Sequence, residues 1–197
     1  MIEHVSQMIA NRLGTTLHYE KDNIEILAYG LECIINSAIT SILILAFALL
    51  THHFVSCLIW IVYFTLLRSK IGGYHAPSHI SCILSSTGLC IFSVIISDYH
   101  IFPIWLILLV PGSLISSFCI IRYAPLASTE NIPLDDRQAT AVRTQAIVLI
   151  LMGYLAALLL MFMNRFSLSF LLLIIITSVV LLFQLERKKR LSTITHS

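Results

Sequence analysis

The side chains best suited to chemistry crowd into one short stretch, Arg68-Ser69-Lys70-Ile71-Gly72-Gly73-Tyr74-His75-Ala76-Pro77-Ser78-His79-Ile80-Ser81-Cys82. A cysteine with a histidine in reach is the minimum for thiol catalysis. The base generates the thiolate and later hands its proton to a departing amine. On one continuous helix His75 and Cys82 would stand about 10 Å apart, too far for that transfer. Pro77 breaks the continuity, because it disfavours helix at Ala76 and suits a helix start. The spacing therefore predicts a helix beginning near Ala76–Ser78, with Ser78 as its cap. Cys82 then lies in an early turn, where the helix N-terminus favours negative charge and hence a thiolate. His75 sits on a loop free to fold back onto it. Backbone N–H groups near Gly72-Gly73 or the helix start are candidates for holding an oxyanion.

Each residue also has a plainer reading. Cysteine is commonly a small buried hydrophobe. Paired glycines serve tight turns, and histidines often end a span at the headgroups. His79, three residues before Cys82 on the same helix face, competes with His75 for the role of base. His75, His79 and Cys82 would also make an incomplete metal site, with no nearby carboxylate to finish it. No cofactor is called for.

The elements that must position these residues follow from composition. The chain has 197 residues, 58% hydrophobic and only 11% charged, with a mean hydropathy of +0.92. Soluble domains carry about 25% charge. Between Cys33 and Ile121 the charged side chains are Arg68, Lys70 and Asp98 alone. That excludes a soluble domain and a disordered chain, and a net charge of +2 gives no basic face for nucleic acid. The expectation is an all-α, polytopic membrane protein. Five cysteines, an odd number without a CxxC pair, argue against a disulfide framework. Met1-Ile2-Glu3-His4 lacks a basic region leading into an apolar one, so no cleaved signal peptide is expected.

Residues 1–20 read as an amphipathic helix. Ile2, Val5, Ile9, Leu13 and Leu17 form one stripe, opposite Glu3, Gln7, Asn11 and Arg12. It would lie in the membrane interface or pack on the bundle. Residues 21–197 then form one transmembrane domain of six apolar segments, near 25–50, 54–67, 80–97, 101–121, 144–163 and 166–185. Counting six spans places eleven of the twelve basic residues on one side, with Arg165 on the other. The positive-inside rule makes that side cytoplasmic, with both termini and the loops at 68–79 and 122–143. Glu32 is an acid within the first segment, near its cytoplasmic end, and intramembrane acids commonly mark functional sites. The terminal Arg187–Arg190 run suits anchoring to anionic lipid.

The stretch Gly73-Tyr74-His75-Ala76-Pro77-Ser78…Cys82, seven residues from His to Cys, resembles the accessory gene regulator B (AgrB) family of bacterial membrane cysteine peptidases. Tyr123-Ala124-Pro125 followed by Asn131-Ile132-Pro133 is similar to the family's loop after the fourth span. The resemblance implies Cys82 as nucleophile and His75 as base. It gives Arg68 and Gly73 supporting roles; the residues' own charge and placement add Lys70, Gly72, Glu32 and Arg122 as further candidates around the substrate. It implies an AgrD-like propeptide as partner, whose acidic tail is removed and whose core becomes a thiolactone or lactone used in quorum sensing. A homodimer in the bacterial cell membrane is also implied. Where relatives carry lysines after the Tyr-Ala-Pro motif, this chain has Ser128-Thr129-Glu130-Asn131. A cationic dock for an acidic tail must then come from Arg122, Arg137, Arg143, Arg68 or Lys70. The alternatives are a peptide exporter without chemistry, which would want polar residues deep in several spans, and a membrane scaffold, which leaves the His–Cys loop unexplained.

Overall fold

In a computed structural model the described residues are 2–16, 21–71, 78–98, 111, 114–115, 117–118 and 136–195. Among them are six helices: α1 (Ile2–Thr16), α2 (Lys21–Thr51), α3 (Phe54–Ile71), α4 (His79–Asp98), α5 (Asp136–Phe162) and α6 (Phe166–Thr195). No strand occurs among the described residues. Helices α2 to α6 are each long and apolar enough to cross a membrane. The expected span at 101–121 lies largely outside the described residues. Its described pieces, 114–115 and 117–118, are helical, and Ser117 Oγ stands 3.0 Å from the Tyr154 hydroxyl on α5.

Helix α6 is the hub. It packs against α3, α4 and α5, and 61% of its most apolar stretch is buried, against 11–33% in the other spans. Leu171, Ile175, Val179, Val180 and Phe183 are fully covered. Backbone polar groups are all satisfied within a helix, so an apolar hub costs nothing in lost hydrogen bonds. Helix α5 docks on it through Ser169 Oγ, which donates to the Ala157 carbonyl at 2.8 Å. Helix α3 meets α5 where the Tyr63 hydroxyl donates to the Leu149 carbonyl at 3.1 Å. Gly153 makes room for that hydroxyl, since a Cβ there would run into it.

Two tight turns lie at the end of the bundle away from Cys82. Asn164 adopts φ 56° after α5. Its N–H bonds to the Met161 carbonyl at 3.0 Å, while Arg165 N–H reaches Leu160 at 2.8 Å. That is the Schellman pattern, and asparagine tolerates its left-handed position. His52 holds φ 59° after α2, and His53 Nδ1 lies 3.2 Å from Asp98 Oδ2, tying the start of α3 to the end of α4.

Two expectations change. The second span does not stop at Leu67; α3 runs on to Ile71. Arg68 and Lys70 therefore stand on its last turn rather than in a loop, where cations complement the helix C-terminus. The N-terminal helix packs with its small residues inward. Ser6, Ala10 and Gly14 are buried, while Val5, Met8, Ile9 and Leu13 stay exposed. Gly14 meets Ile24 and Ser6 meets Glu32, so α1 runs antiparallel along the start of α2. Small residues let helix backbones approach closely, and in lipid the large apolar side chains gain nothing from turning inward.

Candidate active site

Ser78 caps α4 as its sequence position predicts. Its carbonyl accepts from Cys82 N–H at 3.0 Å, and its Oγ accepts from Ser81 N–H at 3.2 Å. Cys82 is thereby fixed in the first turn and is buried. Across from it, the last turns of α3 bring in Arg68, whose Nη2 lies 4.0 Å from Cys82 Sγ and whose Nη1 donates to Ser86 Oγ at 3.4 Å. The guanidinium is steered by its own helix. Trp60 stacks on Phe64 with ring centroids 4.3 Å apart, and Arg68 Cζ sits 5.8 Å from the Phe64 ring. These residues recur every four positions, so they share one face of α3. The guanidinium thus sets a positive charge beside the Cys82 sulfur.

Glu32 joins this group from α2. Its Oε2 lies 3.7 Å from His79 Nε2, with the carboxylate side chain 16% exposed and the imidazole 40% exposed. Ser6 has one hydroxyl proton to share between the Glu3 carbonyl at 2.8 Å and Glu32 Oε1 at 3.1 Å. The N-terminal helix thus touches the site through the Ser6 hydroxyl.

Helices α3 and α4 barely meet, while α2 touches both. The gap holds a cavity of about 430 Å³ lined by Glu32, Arg68, His79 and Cys82, and also by Asn36 and Trp60. That is within the range of pockets that enclose small ligands.

Lys70 faces elsewhere. It lines a groove against Thr144 and Gln145 of α5, not the Cys82 cavity. His75, Gly72, Gly73 and Arg122 lie outside the described residues. Cys33, Cys57, Cys82 and Cys90 are unbridged thiols, and Cys33 is a second thiol on the cavity wall. Among the described residues no three His, Cys, Asp or Glu side chains group as metal ligands. Sequence reasoning missed the polar face of α2, where Asn36 and Thr40 follow Glu32 at four-residue steps with Ser37 and Ser41 beside them. That spacing was visible, but each residue is small or neutral, and its facing partner was not apparent.

Apolar spans around a capped cysteine, a neighbouring arginine and a cavity of about 430 Å³ define a polytopic membrane protein with a built polar site. Comparison with known proteins places it further. The accessory gene regulator B family matches residues 6–185, and the chain belongs to that family. An AgrB-like protein 2 of Clostridium perfringens strain 13 is 28% identical over 139 residues, covering 68% of this chain and 64% of the relative. An AgrB-like protein of Clostridium perfringens strain SM101 is 27% identical over the same length and shares. The matches thus span somewhat less than two thirds of the relatives' own length. No solved structure matches significantly.

Proposed function

We propose that the chain is a membrane-embedded cysteine endopeptidase. It removes the C-terminal tail of an AgrD-like propeptide and closes the retained segment into a thiolactone or lactone. The observation that carries this reading is the placement of Cys82. It stands in the capped first turn of α4, 4.0 Å from the Arg68 guanidinium, on the wall of a cavity of about 430 Å³.

The Cys82 thiolate attacks the carbonyl between the retained segment and the tail. His75 takes the thiol proton and delivers it to the leaving amine as the C–N bond breaks. The acyl group remains on Cys82 as a thioester. A Cys thiol or Ser hydroxyl of the same peptide then attacks that carbonyl, closing the ring and returning Cys82 as its thiol. One thioester is exchanged for another in the thiolactone case, so no ATP is needed. Tethering the nucleophile to its target gives it a high effective concentration. A site walled by membrane helices limits the competing attack by water. The Glu32–His79 pair lines the same cavity as Arg68. The basic residues at this end support a cytoplasmic site, since positively charged segments are retained there.

A peptide exporter without chemistry would need the polar lining to continue across the membrane. Among the described residues it gives way to Ile44 and Trp60, which favours the enzyme. The two readings separate in proteoliposomes with a labelled AgrD-like propeptide. The wild-type chain releases the tail and Cys82→Ala does not. Normal tail release by that variant, or peptide movement without any cleavage, would overturn the proposal.

A further inference from the structure

Arg68 and Lys70 share the last turn of α3 but serve different faces. Positions two apart on a helix lie about 200° from each other. Arg68 turns to Cys82, whereas Lys70 lines an open groove of about 600 Å³ between α3 and α5. The two helices run antiparallel there. The Tyr63 hydroxyl reaches the Leu149 carbonyl, and Lys70, two turns further along α3, comes level with Thr144 and Gln145. The groove is graded from polar to apolar. At its outer end stand the Lys70 ammonium and the Gln145 amide, while the Thr144 hydroxyl donates back to the Thr140 carbonyl at 2.9 Å. Its inner part is walled by Leu66, Val148 and Leu149, and Leu66 and Val148 are 44% and 48% exposed. Among the described residues no acidic side chain lines it. Arg137 is exposed, and helical spacing puts it on the same face of α5 as positions 141, 144 and 148, beyond the polar end.

A cation and an amide donor at the head of an apolar channel match a molecule with an anionic head and a hydrocarbon tail. A free anion gains nothing from Leu66 and Val148, and a neutral lipid gains nothing from the Lys70 charge. A peptide laid along the channel would set its N–H and C=O groups against side chains that offer no partner. We propose that this groove is a binding site for an anionic glycerophospholipid. Its phosphate sits between Lys70 and Gln145, with Arg137 adding positive charge from the outer side. One acyl chain runs inward along Leu66, Val148 and Leu149. Basic pockets between spanning helices hold anionic headgroups by the same logic, and a lysine stem lies well along an apolar wall with its ammonium at headgroup level. The site does not depend on the peptidase reading. It gives Lys70 a partner other than an acidic peptide tail. A lipid bound there also ties the turn that carries Arg68 to α5.

Photo-crosslinking in nanodiscs of phosphatidylcholine tests the site on the full chain. The probe is phosphatidylglycerol with a diazirine in one acyl chain, set against phosphatidylcholine carrying the same chain, and adducts are mapped by mass spectrometry. The anionic probe should label the peptides holding Leu66 and Val148 several-fold more than the neutral one. Ile42 and Leu49 of α2, 65% and 68% exposed, should take both probes alike. Unlabelled phosphatidylglycerol should suppress the groove labelling, and a free acidic peptide should not. Lys70→Gln should raise the competing concentration roughly fivefold, the effect of one basic residue at a lipid surface. Lys70→Arg should keep the preference, and so should Lys188→Gln combined with Lys189→Gln in the terminal basic run. Labelling of α2 by the neutral probe should be the same in every variant, which reports an intact bundle. Equal groove labelling by the two probes, a preference that survives Lys70→Gln, or displacement by the acidic peptide would overturn the site.

Discussion

Helices α2 and α6 are close to the same length, 31 and 30 residues, and both are strongly apolar, yet they are built for opposite purposes. Helix α6 buries most of its apolar stretch, packs against three neighbours and holds the bundle together. Helix α2 buries only 11% of its most apolar stretch and turns its few polar residues toward the cavity. The difference is one between a span that makes the scaffold and a span that makes a site. Damage to the first should appear as lost folding, and damage around the second as lost chemistry or binding.

After Cys82 itself, the largest effect expected on the site side comes from the base. His75→Gln should slow tail release by on the order of 10²–10⁴, the usual contribution of a positioned acid–base group. His79→Gln should cost far less, because its imidazole is held by Glu32 at 3.7 Å. Single-turnover tail release in proteoliposomes measures both, and the opposite ranking would transfer the dyad to His79. On the scaffold side, Phe183→Ala empties a fully buried position and should destabilise the bundle by about 3–5 kcal/mol. Thermal unfolding in detergent reads that loss, whereas tail release per folded molecule should be kept. A variant that stays folded but inactive would erase the distinction between the two helices. The smallest effect is expected at Cys33, the other thiol on the cavity wall. Cys33→Ser should retain tail release within about a factor of two, since surface changes outside special features cost little.

Much of this was legible before any coordinates. Ser78 caps α4 where Pro77 predicts the helix to start, and hydropathy located all five described spans. The positions of Arg68 and Cys82, at the end of one span and the start of the next, brought them to one level. What hydropathy does not encode in a membrane is which way a helix faces. Lipid and protein interior are equally apolar, so the contrast that orients a soluble helix is missing. For that reason α1 packs with Ser6, Ala10 and Gly14 inward, against the direction its large apolar residues suggest. For the same reason the polar face of α2 only gained meaning once Trp60, Phe64 and Arg68 were seen opposite it. The extension of α3 through Lys70 was hidden because charged residues resemble a loop, although they suit a helix C-terminus.

The central claim is that Cys82 carries the peptide as a thioester. Wild-type chain mixed with an AgrD-like propeptide, quenched in acid within a single turnover, can be weighed intact by mass spectrometry. A gain equal to the propeptide less its tail is predicted, located on Cys82 and removed by hydroxylamine. Tail release proceeding with no such adduct, or with the adduct on another residue, would contradict it.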